Sequence, residues 1–328
     1  MSDASRDCIF EVAGGFMAAK YLFVANEVQL FERLGDGPAT LDELAKRTGV
    51  PSRTIRIVAD AMVALGLLER QDSRYQNGPA AATYLSGRTP SDLRPMLRFW
   101  DRISYPRWTK LEETVRTGNA VFGGWVFSEE EQRIVSEGVQ ALQSDTANAL
   151  PLVYDFSRHR RFLDLGGGTG SWLMAVLRQH RHLEATLFDR PAVAAVARQK
   201  LAGEPVAARV KVVAGDFFTD PLPENHDVIL LANVVHLLAP ERTLDLLRRT
   251  RERVARGARL LLADFWTDST HTKPIFSALM AGAFLVDTGV GDVYSEDEGR
   301  QWLKQAGWQA LEWKVLAGPV SVIVAEAA

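Results

Sequence analysis

Apolar positions follow two different rhythms along the chain. Up to about residue 150 they recur mostly at helical spacing. Residues 8–33 place Phe10, Phe16, Leu22, Phe23, Leu30 and Phe31 at rough helical intervals, which predicts a helix facing a core or a second subunit. The Gly14–Gly15 pair predicts a kink or a close helix contact within it. Residues 38–85 read as a short helix stopped at Gly49, a second helix opened by Pro51–Ser52 and ended at Gly66, and a hairpin turning over Gln71-Asp72-Ser73. Helix, turn, helix and hairpin make a winged-helix pattern. Residues 91–118 follow as a helical connection, and Ser128 with Glu131 forms a capping box that opens a helix to about Leu150.

After Arg160 short apolar runs alternate with helical stretches. Strands are predicted at 161–165, 184–188, 209–213, 227–232 and 258–264, as βαβ units in a parallel sheet. Two last strands, 309–315 and 319–325, lie close together across Gly318–Pro319 and predict an antiparallel closing hairpin. The expected fold is α/β: a Rossmann-like sheet with a C-terminal antiparallel hairpin, preceded by a mostly α winged-helix domain. The expected boundaries are 1–93, connecting helices 94–150, and the sheet domain 151–328.

A length of 328 residues suits two domains. The net charge of −3 argues against a nucleic-acid binder. Cys8 is the only cysteine, so neither an internal disulfide nor a C-x-x-C zinc pair exists; it reads as a small apolar residue of the first helix. Met1 to Asp7 is polar and lacks the apolar region of a signal peptide, and no apolar run reads as long enough to span a bilayer. The expectation is a cytoplasmic protein with no membrane partner. No His, Cys and carboxylate cluster has ligand spacing, so no metal is expected.

The first strand and its turn read Phe162-Leu163-Asp164-Leu165-Gly166-Gly167-Gly168-Thr169-Gly170. A glycine turn between strand and helix lets a ligand approach the backbone. Nicotinamide enzymes have such a turn, but their fingerprint needs glycine or alanine where this chain has Ser171. Asp164 would also repel a pyrophosphate. S-adenosyl-L-methionine has no phosphate and carries two cationic groups, so it is the cofactor this turn predicts. Gly166 and Gly168 would give it backbone room. Asp189, about twenty residues beyond the glycines, is placed to accept from ribose hydroxyls. Asp216 after the third strand can accept from the adenine amino group, and Phe217 can cover the ring.

With the stretch Ala232-Asn233-Val234-Val235-His236, these motifs resemble the bacterial and plant small-molecule O-methyltransferases that carry an N-terminal dimerisation domain, over nearly the whole chain. The nearest in pattern are tailoring enzymes of aromatic natural products, including antibiotic biosynthesis. The resemblance implies a homodimer, a small aromatic acceptor and S-adenosyl-L-homocysteine as product, with no nucleic-acid partner. It places His236 as general base, Asp264 as the carboxylate orienting it, and Asn233 in the cofactor set. It also makes the helix over 274–288 an acceptor wall through Phe276, Met280, Phe284 and Asp287. The sequence departs from the family where Leu237-Leu238 follow the histidine, where Ala232 replaces a common lysine, and where Val293 and Tyr294 replace a second acid, with Asp292 and Glu296 nearby.

A phenol of pKa about 10 is a poor nucleophile until a base takes its proton, and histidine suits that task near neutral pH. A Met and aromatic stripe is more often core, and it is the resemblance that favours a pocket here. Trp100, Tyr105 and Trp108 read as acceptor-stacking residues or as domain packing. The rival readings are C- or N-methylation on the same fold, a nicotinamide oxidoreductase, and a winged-helix DNA-binding regulator, whose recognition helix would offer only Arg53 and Arg56 to phosphates.

Overall fold

The computed structural model describes residues 6–122 and 127–328; Met1–Ser5 of the polar N-terminal stretch lie outside them. The chain forms two compact units, Met1–Pro106 with Ser128–Leu142, and Arg107–Phe127 with Gln143–Ala328. The segment 94–150 is therefore divided between the two units.

In the first unit α1 (Asp7–Glu27) runs unbroken through Gly14 and Gly15. The predicted kink is absent, because glycine lowers helix propensity without removing a hydrogen bond. No close contact within the chain needs these glycines either: a Cβ on Gly15 would meet nothing within 4 Å. The break comes at Gln29, left-handed at φ 59°, before α2 (Leu30–Leu34). Phe23, Leu30 and Phe31 enter the core, whereas Phe10 and Phe16 stay 67% and 59% exposed. Contrary to the sequence expectation, α1 is long and apolar enough to cross a bilayer by length and composition. Only Glu11 and Lys20 are charged between its end residues.

β1 (Ala39–Thr40) leads into α3 (Leu41–Thr48), whose first turn is closed by a capping box between Thr40 and Glu43. Gly49 stops α3 in the left-handed conformation. After α4 (Ser52–Ala64), β2 (Leu68–Gln71) and β3 (Arg74–Asn77) pair across Asp72 and Ser73, both at positive φ as a tight hairpin turn requires. β1 adds to β3, giving the order β1-β3-β2. Leu44, Ile55, Ala59, Met62 and Tyr75 join the core formed with α1 and α2. α5 (Pro79–Tyr84) and α6 (Arg94–Phe99) follow, then a π-helical turn over Trp100–Ser104, α7 (Tyr105–Trp108) and α8 (Leu111–Thr117). α9 (Glu129–Val153) opens on the predicted capping box, with the Ser128 N–H donating to Glu131 at 2.8 Å.

The second unit is built on a seven-stranded sheet. Its strands are β4 (Arg161–Leu165), β5 (Glu184–Asp189), β6 (Val210–Ala214), β7 (Val228–Ala232), β8 (Arg259–Asp264), β9 (Trp308–Val315) and β10 (Ser321–Ala327). The order is β6-β5-β4-β7-β8-β10-β9. β4 to β8 run parallel, and β10 lies antiparallel between β8 and β9 as the predicted closing hairpin. Helices α10 (Ser171–Gln179), α11 (Pro191–Leu201), α12 (Pro240–Arg251), α13 (Ile275–Thr288) and α14 (Glu296–Gln305) complete the unit. Alternate residues of β4 serve opposite faces: Phe162 packs with Trp172 and Leu177, while Leu163 and Leu165 pack with Leu246, Trp302 and Trp308. Every residue of β7 is buried, as a central strand covered on both faces demands. The carboxyl ends of the parallel strands share one edge, and Asp164, Asp189, Asp216, Asn233, His236 and Asp264 lie at or just beyond those ends.

Candidate functional site

β4 delivers its last residues into a turn where Gly166, Gly168 and Gly170 all have positive φ, at 77°, 58° and 86°. Side chains are excluded there for a second reason. A Cβ on Gly167 would lie 2.8 Å from the Asp164 carboxyl carbon, and one on Gly166 would lie 2.9 Å from Val234. At Gly168 a Cβ would meet nothing within 4 Å, so the turn opens outward there. The Gly166–Val234 approach sets the glycine turn beside the segment after β7.

Asp164 is buried, and its Oδ2 has no hydrogen-bond partner. Burial, then the nearby Asp189 carboxylate, push its pKa up to about 7. A buried acid with an open oxygen fits a cationic ligand group. Asp189, at the end of β5, accepts the Gly168 N–H at 2.8 Å and the Arg190 N–H at 2.7 Å, and burial raises its pKa. Asp216 spends one oxygen on the Phe218 N–H at 2.7 Å. Phe217 sits edge-on to Phe218, with ring centres 4.8 Å apart, and borders the Gly166 turn. Asn233, just past β7, holds φ 56°, and both polar atoms of its side chain are buried without a partner. These features fit S-adenosylmethionine: buried carboxyl groups, an open backbone turn and polar atoms that lack partners.

His236 lies in a short 3₁₀ turn three residues past Asn233 and is 6% exposed. Its Nδ1 meets Asp264 Oδ1 at 2.6 Å. Asp264, at the end of β8 and 2% exposed, also accepts the Phe265 N–H at 2.8 Å and, more weakly, the His236 N–H at 3.4 Å. Phe284 of α13 stacks on the imidazole with centres 3.9 Å apart and planes 19° from parallel. The turn after α13 presses on the same residue. The Asp292 N–H donates to the His236 carbonyl at 3.1 Å, and a Cβ on Gly291 would lie 2.5 Å from that oxygen. Asp292 therefore reaches His236 through its backbone, while Glu296 pairs with Arg300 at 2.6 Å. Sequence reasoning assigned Phe284 to the acceptor wall and did not find its contact with His236; its place among the apolar positions of α13 was the available signal.

The remaining predicted residues fall in different surroundings. Phe276 lies 6.2 Å from the Phe265 ring, and Met280 packs on the core. Asp287 is engaged by Arg107 at 2.8 Å, and that guanidinium lies over the rings of Phe122 and Phe127. Burial raises the Asp287 pKa, and Arg107 opposes the shift. Trp108 borders α13 where Gly282 leaves room; a Cβ there would lie 2.9 Å from its ring. Trp100 and Tyr105 belong to the first unit, where Trp100 packs on the core and Tyr105 lies edge-on to Phe23 at 6.2 Å. On the wing's helix α4, Arg56 is paired with Asp60 at 2.8 Å. No group of three metal-ligating side chains occurs among the described residues.

Known proteins place this arrangement. Residues 108–309 match the O-methyltransferase domain and residues 10–87 the O-methyltransferase dimerisation domain. The chain is 33% identical to 3-hydroxy-5-methyl-1-naphthoate 3-O-methyltransferase of Streptomyces sahachiroi, over 94% of this chain and 91% of that protein. It is 30% identical to the tetracenomycin polyketide synthesis 8-O-methyl transferase of Streptomyces glaucescens, over 96% and 95%. The solved structure of human N-acetylserotonin methyltransferase in complex with S-adenosylmethionine superposes with a TM-score of 0.90 at 26% identity, covering 100% of this chain and 99% of that one. The matched O-methyltransferase domain, the matched dimerisation domain and the two Streptomyces relatives lead to one assignment: the chain belongs to the S-adenosylmethionine-dependent O-methyltransferase family of the natural-product type.

Proposed function

We propose that the chain methylates a phenolic hydroxyl of a small aromatic acceptor, with His236 as general base. The observation that carries this reading is the 2.6 Å contact between His236 Nδ1 and Asp264. An ionised carboxylate only accepts, so Nδ1 carries the proton and Nε2 keeps its lone pair. Nε2 then takes the phenol proton as the oxygen attacks, and Asp264 stabilises the imidazolium. Bound S-adenosylmethionine supplies the electrophilic methyl group. The glycine turn gives it backbone room at Gly166 and Gly168. Asp164 would balance its ammonium, Asp189 would hold its ribose, and Asp216 with Phe217 would hold its adenine, while Asn233 offers an unpartnered amide. Trp108, Phe276, Met280 and Phe284 border the acceptor, and their apolar surfaces suit a flat ring. Holding acceptor and methyl group in line supplies most of the rate. The functional form is a homodimer joined through residues 10–87, as the matched dimerisation domain supports.

The test is turnover with phenolic acceptors, beginning with hydroxynaphthoates because one relative's name specifies that class. Wild-type protein should form an O-methyl product. His236→Ala should lower kcat by roughly 10²–10⁴-fold while binding S-adenosylhomocysteine as wild type does. Full activity in that variant removes the base role. Methylation of an amine or a ring carbon, with phenols inert, overturns the hydroxyl assignment.

A further inference from the structure

The second unit contains a cavity of about 640 Å³ at the amino ends of its strands, the opposite edge from the glycine turn. Arg161 opens β4, Asp227 immediately precedes β7, and Arg259 opens β8, and all three line it. Its volume is that of a small-molecule site. Five arginines contribute to the wall: Arg158, Arg161, Arg253, Arg256 and Arg259. Arg253 is paired with Glu224 at 2.6 Å, and Arg259 is paired with Glu326. Arg158, Arg161 and Arg256 form no ion pair among the described residues.

The wall's three carboxylates, Asp155, Asp227 and Glu312, offset part of this charge, and Arg158 lies near enough to Asp155 to help lower its pKa. Asp155 accepts the Ser157 N–H at 2.9 Å, which holds its pKa below the usual range. Asp227 accepts the backbone N–H groups of Arg160 and Arg161 at 2.8 and 3.1 Å. Glu312 pairs with Lys314 at 2.6 Å. His226 adds a buried ring nitrogen, Nδ1, that has no partner, while its Nε2 is bound to Thr186 at 3.0 Å. Five arginines against three carboxylates leave the wall with an excess of positive charge, and Arg158, Arg161 and Arg256 reach it from three separate segments.

We propose that this cavity binds a small phosphoryl-bearing anion through Arg158, Arg161 and Arg256. A tetrahedral phosphoryl group presents several oxygens in different directions, which suits guanidinium forks arriving from three segments. Methyl transfer uses no such anion, so the site is separate from the reaction and lies across the sheet from it.

The probe is inorganic pyrophosphate, titrated calorimetrically into the full chain at about 0.15 M salt, with and without saturating S-adenosylhomocysteine. One ion per chain should bind saturably, whether or not S-adenosylhomocysteine is present. The exposed triple variant Arg158→Ala/Arg161→Ala/Arg256→Ala should weaken binding about tenfold or more, since each charged contact is lost, and should keep its affinity for S-adenosylhomocysteine. Arg161→Lys should lie between the two, keeping the charge and losing the fork. The proposal is overturned if pyrophosphate shows no saturable binding, binds the triple variant as tightly as wild type, or is displaced by S-adenosylhomocysteine. A duplex oligonucleotide that binds more tightly than pyrophosphate, and is lost in the same variant, overturns the small-anion assignment in favour of a nucleic-acid backbone.

Discussion

At the scale of single residues, the imidazole of His236 is restrained on several sides. Asp264 fixes its Nδ1 edge, Phe284 covers one face, and Asp292 holds its backbone carbonyl. Asp264→Asn can turn an amide N–H toward Nδ1 and favour the wrong tautomer. It should lower kcat on the order of 10²-fold or more and leave S-adenosylhomocysteine affinity unchanged; an unaltered kcat would show that the tautomer does not matter. Asp164 makes a prediction about pH. Its carboxyl titrates near 7 in the folded chain, against a reference value of 3.8. Between those values the folded chain keeps a proton that the unfolded chain has released, so this group's contribution to stability falls as pH rises through the window. A cationic ligand favours the ionised form instead. Cofactor affinity should therefore climb as pH approaches 7 and level off above it, and Asp164→Asn should flatten the profile. Calorimetry across that range decides: a flat wild-type profile would dissociate Asp164 from the ammonium. The strand-end acids were legible in the sequence because a parallel sheet brings every carboxyl end to one edge. The Phe284 stack was not, because helical spacing assigns a residue to a face without naming its partner.

At the scale of elements, glycines separate what spacing can reveal from what it cannot. The predicted strands agree with the observed ones to within about two residues, since apolar runs bounded by turn residues mark strands well. The break at Gln29 carried no such mark, because no glycine or proline stands there. Gly291 was equally silent, although its missing side chain lets the turn after α13 reach the His236 carbonyl. Gly291→Ala would force a Cβ against a backbone oxygen, an overpacking that costs about 1–3 kcal/mol. It should lower both thermal stability and kcat; a variant as active and stable as wild type would mean the turn does not position the histidine. Gly15→Ala runs the other way. With open space around it in mid-helix, alanine should stabilise α1 by roughly 0.5–1 kcal/mol. A drop in stability on thermal unfolding would reveal a neighbour packed against Gly15 from another chain.

At the scale of the whole molecule, α1 connects an exposed surface to a matched family domain. Ile9, Phe10, Val12, Phe16, Met17 and Tyr21 are exposed on one helix within or beside residues 10–87, the dimerisation match. An apolar surface of this kind on a folded chain calls for a partner. A second copy would cover it, and a stable interface commonly buries about 800 Å² per chain. Light scattering at micromolar concentration should give the mass of two chains, and Phe10→Asp with Phe16→Asp should give the mass of one. A wild-type monomer would contradict the dimer, and a double variant that remains dimeric would move the interface off α1. The length and composition of α1 allow one other occupant, so flotation with phosphatidylcholine vesicles belongs in the same experiment. Vesicle binding by a monomeric wild type, abolished in the double variant, would assign the face to lipid. Self-association without vesicle binding would leave the apolar length of α1 explained by the helix of a second chain.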